Sequence, residues 1–139
     1  MLDNFIYRKN TTDENVMKEI LDKQAYRKKK INFGIEEKDV WLDGGAHIGI
    51  FGLYVAQNKG KKVYCYEPET ENYQILQKNA SNINSTYNTQ IECFKYAINQ
   101  NGGTHQFTIA PNTWRHSLMT HYKKKLPTVE IECKKIDDI

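Results

Sequence analysis

Val40-Trp41-Leu42-Asp43 is a short apolar run ending in an acid, and Gly44-Gly45-Ala46-His47-Ile48-Gly49 follows it without a gap. Runs of this kind mark parallel strands buried on both faces, and the glycines predict a tight turn. Ile50, Phe51, Leu53, Tyr54 and Val55 continue as a helix with an apolar face, which Gly60 closes as a C′ glycine does. Residues 62–67 read as a second strand, again ending in an acid, Glu67, and Pro68 opens a new segment. Residues 70–79 are helical by their spacing, with Tyr73, Ile75 and Leu76 inward. The Asn- and Ser-rich stretch 79–88 reads as helix end and loop, and 91–96 as a third strand. The order β-α-β-α-β over 40–96 predicts an α/β fold with a largely parallel central sheet and flanking helices.

The rest of the chain is arranged around this unit. Residues 1–10 are polar and without pattern. Thr11 and Glu14 have the spacing of a capping box, and Val16, Met17, Ile20 and Leu21 follow at helical intervals. A leading helix is therefore expected over 11–30. It ends in Arg27-Lys28-Lys29-Lys30, whose cations suit a helix C-terminus, although an anionic substrate is a second use for them. Residues 99–104 form a turn, 105–110 and 128–134 alternate like strands, and 111–125 read as a loop. One domain over 11–139, with its core at 40–98, accounts for the 139 residues.

Composition excludes several classes. Twenty basic residues against 17 acidic give a net charge of +3, too mild to predict a nucleic-acid partner. No apolar run approaches the roughly 20 residues of a membrane span, and residues 1–10 hold no apolar leader core. Cys65, Cys93 and Cys133 are scattered and odd in number, so neither a metal site nor a disulfide framework is expected. They read as small buried thiols in a reducing cytoplasm.

A strand, a glycine turn and a helix start form a place for a nucleotide-like ligand at the carboxyl end of the sheet. Two cofactors compete for it. Gly44, Ala46 and Gly49 give only G-x-A-x-x-G, a weak match to the dinucleotide fingerprint G-x-G-x-x-G. Asp43 at the strand end would also repel a pyrophosphate. S-adenosyl-L-methionine has no phosphate and carries a sulfonium and an ammonium, so a carboxylate there is favourable. Glu67 suits the ribose hydroxyls of either cofactor. Alternative uses stay open: Asp43 as a helix cap, Glu67 as an exposed edge acid, the glycines as packing devices.

Residues 40–49 resemble the first motif of the FkbM-type methyltransferases, D-x-G-A-N/H-x-G. Tyr66-Glu67-Pro68 resembles the family's E-P pair, Leu76-Gln77-Lys78-Asn79 its L-x-x-N helix end, Tyr96-Ala97-Ile98 the segment after its third strand, and Gly102-Gly103 the turn beyond. Asp13, Glu19 and Tyr26 resemble a helix placed before the fold. The resemblance covers roughly residues 11–139. It implies a Rossmann-like class I methyltransferase fold, S-adenosyl-L-methionine as cofactor, and O-methylation of a hydroxyl on a small-molecule or glycan acceptor. It further implies cofactor contacts from Asp43, Gly45, Ala46, His47, Gly49, Glu67 and Pro68, with Tyr96 and Ala97 near the adenine. His47 equally suits a polar residue at a helix start. The family continues beyond a segment like Ile136-Asp137-Asp138 into a strand with K-x-D-x-E-G, which has no match before Ile139. The C-terminal part is therefore expected to be short or missing, and an exposed sheet edge to pair with a second copy of the chain.

Methyl transfer to a hydroxyl gains from a base within reach. His47 and His116 are the candidates, the latter in a loop where Trp114 either stacks on a sugar or packs inward. His105, His121 and Lys123-Lys124-Lys125 read as solvent-facing. Three functions follow: a methyltransferase, an S-adenosylmethionine-binding module without independent catalysis, and an NAD-dependent oxidoreductase.

Overall fold

The computed structural model describes residues 4–23, 26, 33–110 and 126–139. The basic cluster 27–30 and the segment 111–125, with Trp114, His116, His121 and the three lysines, lie outside the described residues.

Three strands, β1 (Val40–Gly44), β2 (Lys62–Tyr66) and β3 (Gln90–Phe94), form a parallel sheet in the order β1-β2-β3. The helix α2 (Ile50–Gln57) joins β1 to β2, and α3 (Thr70–Thr86) joins β2 to β3. All residues from Ile50 to Ala56 are buried, as expected of a helix that is apolar all round. Val63, Cys65 and Ile91 point into the core with α2, Leu76 and Ile83. At Gly52 an added Cβ would lie 2.9 Å from Ile91 Cδ1, so the missing side chain sets the close approach of α2 to the sheet. The opposite face of the sheet is aromatic: Tyr66 stacks on Phe94 at 5.1 Å and tilts against Tyr96 at 5.2 Å. Val40 and Leu42 on β1 remain 62% and 42% exposed.

Four features differ from the sequence reading. First, α3 runs through the Asn-rich stretch to Thr86. Leu76, Ala80 and Ile83 keep its apolar stripe going, and its asparagines are occupied by tertiary partners. Second, β4 (Ala97–Ile98), β5 (Gly103–Thr108) and β6 (Thr128–Lys134) form a separate sheet in the order β4-β6-β5, with β5 antiparallel to β6. A bend at Lys95 and Tyr96 takes the chain out of line with β3, so these strands do not extend the parallel sheet. Third, α2 ends with Lys59, not Gly60, in the left-handed conformation (φ 68). Lys59 N–H bonds Ala56 O and Gly60 N–H bonds Val55 O at 2.9 Å, the paired bonds of a Schellman end. Gly60 is required because its Cβ would meet Val55 Cγ1.

The fourth difference lies at the N-terminus. Phe5 is a core residue, and Asn79 in α3 holds both the N–H and the carbonyl of Ile6, at 2.7 and 2.9 Å. The patternless segment is thus bound to the fold. The leading helix starts as read, with Thr11 capping α1 (Thr12–Met17) by accepting from Asp13 N–H. It then widens into a π-helical turn, Lys18–Asp22.

The three cysteines are unpaired, Cys65 and Cys133 being buried. Burial raises all three thiols, Cys93 to about 11, which leaves them inert. No helix among the described residues is long and apolar enough to cross a membrane, and no group of His, Cys, Asp and Glu among them could hold a metal ion.

Candidate functional site at the glycine turn

The turn between β1 and α2 is built by its neighbours. Gly45 N–H and Ala46 N–H both donate to Tyr66 O, at 2.8 and 2.9 Å, which ties the turn to the end of β2. Gly45 (φ 84) and Gly49 (φ 90) take left-handed conformations that favour glycine. A Cβ on Gly45 would meet nothing within 4 Å, so its Cα faces open space; one on Gly49 would lie 2.9 Å from Leu76 Cδ1. His47 is also left-handed (φ 52), a conformation in which His and Asn are enriched. That is a backbone reason for the Asn-or-His alternation in the motif.

Glu67, directly after β2, is fixed from two sides. It accepts from His47 N–H at 2.8 Å and from Glu69 N–H at 2.9 Å, one on each carboxylate oxygen. Each oxygen keeps a second lone pair. Burial raises the Glu67 carboxyl from its ordinary value, against the lowering by those two N–H groups.

A buried polar network anchors the N-terminal helix to the turn. Asp13, with 0% exposure, receives Arg8 Nε at 2.9 Å and Arg8 Nη2 at 3.1 Å. Arg8 Nη2 also donates to Asn72 Oδ1 at 2.7 Å and lies 3.1 Å from His47 Nε2. Asp13 Oδ1 is 3.3 Å from the same His47 nitrogen. An arginine only donates, so the first contact needs a bare Nε2 and the second a protonated one. In either state Nε2 is engaged with α1 and its flank.

Beside this network lies a cleft of about 370 Å³, within the range of small-molecule sites. Asp43, Gly45, Ala46 and His47 form its floor. Ile50 and Phe51 of α2 form one wall, and Val16, Glu19, Ile20 and Tyr26 the other. Asp43 Oδ2 is shut off from water and has no hydrogen-bond partner among the described residues. Burial, and then the charge of Glu67, push the Asp43 carboxyl up to about 7. No lysine or arginine among the described residues lines the cleft. Among the described residues, the cleft thus sets two carboxyl groups between aromatic and aliphatic walls, an environment suited to a cationic ligand.

Of the residues singled out from the sequence, Asp43, Gly45, Ala46 and His47 line one cleft. Gly49 caps α2 behind it, and Glu67 is bonded to the turn. Tyr96 lies on the aromatic face, with Lys134 Nζ 4.5 Å above its ring, and Ala97 belongs to the small core of the second sheet. Pro68 lines a separate depression with Lys95 and β6. His105 is half-buried, its Nε2 2.6 Å from Gly102 O. His116 lies outside the described residues. Arg8, Asn72 and the lining role of Glu19 and Tyr26 were missed. A signal for Glu19 exists: Val16, Glu19 and Ile20 share one helix face, so a charge sits in an apolar stripe.

The fold and site define an α/β protein with a cleft at a glycine turn, on the carboxyl side of a parallel sheet. Its fold is similar to the crystal structure of the methyltransferase FkbM from Methylobacillus flagellatus KT, with a TM-score of 0.54 over 82% of this chain and 21% sequence identity. This chain covers 25% of the length of that one. The structural neighbour thus carries the family name that the sequence motifs resemble. No protein-family model and no curated protein matches the chain by sequence.

Proposed function

We propose that this chain is the donor-binding part of an S-adenosylmethionine-dependent methyltransferase, acting on a hydroxyl of a sugar or other small acceptor. The observation that carries this reading is the Asp43 oxygen closed to water and without a hydrogen-bond partner among the described residues, at a glycine turn near the strand-end carboxylate of Glu67. The residues fit the cofactor. Asp43 faces the cationic methionine end, Gly45 leaves room for close approach, and Glu67 is held rigidly with lone pairs for ribose hydroxyls. Bound S-adenosylmethionine supplies an electrophilic methyl on a sulfonium. The chain's own part is to bind and orient the donor and to exclude water around it. Tyr96 and Ala97 mark the adenine side in this reading.

The oxidoreductase alternative is disfavoured by the same charge. A pyrophosphate beside Asp43 and Glu67, in a cleft without a lysine or arginine among its described residues, would be repelled. Calorimetric titration of the full chain with S-adenosylmethionine and with NAD tests the reading. Binding of the first and not the second is expected, lost in D43A and weakened in E67A. Binding of NAD alone, or unchanged affinity in both variants, refutes it. Methyl transfer from labelled donor to a glycan panel separates an enzyme from a binding module.

A further inference from the structure

The outer wall of the cleft contains a carboxylate with no assigned task. Glu19 lies on the π-helical turn Lys18–Asp22 and lines the same cleft as Asp43. Such turns are frequent at functional sites. The Tyr26 ring beside it is fixed by Phe33 at 5.4 Å and by Phe51 at 5.1 Å. Glu19, Tyr26 and Asp43 line one cleft, and after burial the charges of Asp43 and Glu19 both raise the Tyr26 hydroxyl. Asp43 Oδ2 is closed to solvent and unpartnered among the described residues, and no lysine or arginine among them lines this cleft. The other lining groups from α1 and α2 are apolar, and His47 Nε2 is engaged by Arg8 and Asp13.

We infer that Glu19 is a ligand-binding residue, which together with Asp43 forms the counter-charge for a primary ammonium at the amino-acid end of the methyl donor. This rests on the donor reading above and extends it to the N-terminal helix. The Arg8–Asp13–His47 network is then what holds Glu19 over the turn. Glu19 is exposed, so its substitution reads binding.

Three probes resolve the assignment by calorimetry on the full chain: S-adenosylmethionine, S-adenosylhomocysteine and 5′-methylthioadenosine. The first two carry the ammonium, only the first carries a sulfonium, and the third carries neither. In E19Q the first two should lose affinity about tenfold and equally, with 5′-methylthioadenosine unchanged, and E19D should recover part of the loss. Equal affinity of E19Q and the parent for S-adenosylmethionine overturns the role of Glu19 alone. Loss confined to S-adenosylmethionine moves Glu19 to the sulfonium and overturns the ammonium assignment. Equal loss for all three probes shows a merely structural role. A parent chain that binds none of them overturns the donor reading and this inference with it.

Discussion

Replacing Asp43 by asparagine should stabilise the protein while destroying its ligand site. In the folded chain burial and Glu67 move the Asp43 carboxyl from 3.8 to about 7. A group that holds its proton more tightly when folded opposes folding once it ionises. The penalty is absent below the unfolded value, grows as pH rises from about 3.8 to 7, and is complete above 7. Its full size is about 4 kcal/mol. Asparagine has nearly the shape of the protonated acid and never ionises. D43N should thus gain about 4 kcal/mol at pH 8 and almost nothing at pH 4. For a domain of this length about 3 °C accompanies each kcal/mol, so Tm should rise by roughly 10 °C at pH 8. Denaturant midpoints and thermal melts of parent and variant between pH 4 and pH 8 check this. A difference that does not change with pH, or a variant less stable at pH 8 than the parent, refutes the argument that Asp43 is held against its ionisation. Active sites commonly retain destabilising groups of this kind for function.

The same carboxyl sets a pH dependence for binding. A cation gains only from the ionised form, so affinity for S-adenosylmethionine should fall as pH drops below about 7, and binding at pH 6 should release protons, seen as buffer-dependent calorimetric heats. R8A leaves the buried Asp13 charge without its guanidinium and should cost about 3 kcal/mol; R8K should restore only part, because the fork that reaches Asp13, Asn72 and His47 at once is lost. Urea midpoints measure both. N79A removes bonds to Ile6 N–H, Ile6 O and Ile48 O and should destabilise by about 2–4 kcal/mol, with the Ile6 amide exchanging far faster than in the parent; an unchanged Ile6 exchange rate would remove Asn79 as the anchor of the N-terminal segment.

Local signals made the central unit legible. The strands at Val40–Gly44 and Lys62–Tyr66, the intervening helix and the glycine turn follow from short-range periodicity and backbone preference, which depend on neighbours in sequence. The acids at the strand ends follow likewise. Asn79–Thr86 was misread because asparagine disfavours helices only while its amide competes for the local backbone. Here those amides reach Ile6, Ile48, Asn4 and Ile91, partners as many as 78 positions away. The separation of β4, β5 and β6 from the parallel sheet was equally invisible, since alternation identifies a strand but not its neighbour.

The site divides along the same line. By itself the sequence determined a βαβ unit with an open glycine turn and an acid at each of its first two strand ends, because glycine conformation and side-chain chemistry are properties of single residues. Only the tertiary structure decided that Arg8 and Asp13 clamp the leading helix to His47, that Glu19 and Tyr26 line the cleft, and that Asp43 Oδ2 is closed to water with no hydrogen-bond partner among the described residues. Those depend on which distant groups meet and on how much water they exclude, and burial converts an ordinary carboxylate into one poised near neutral pH.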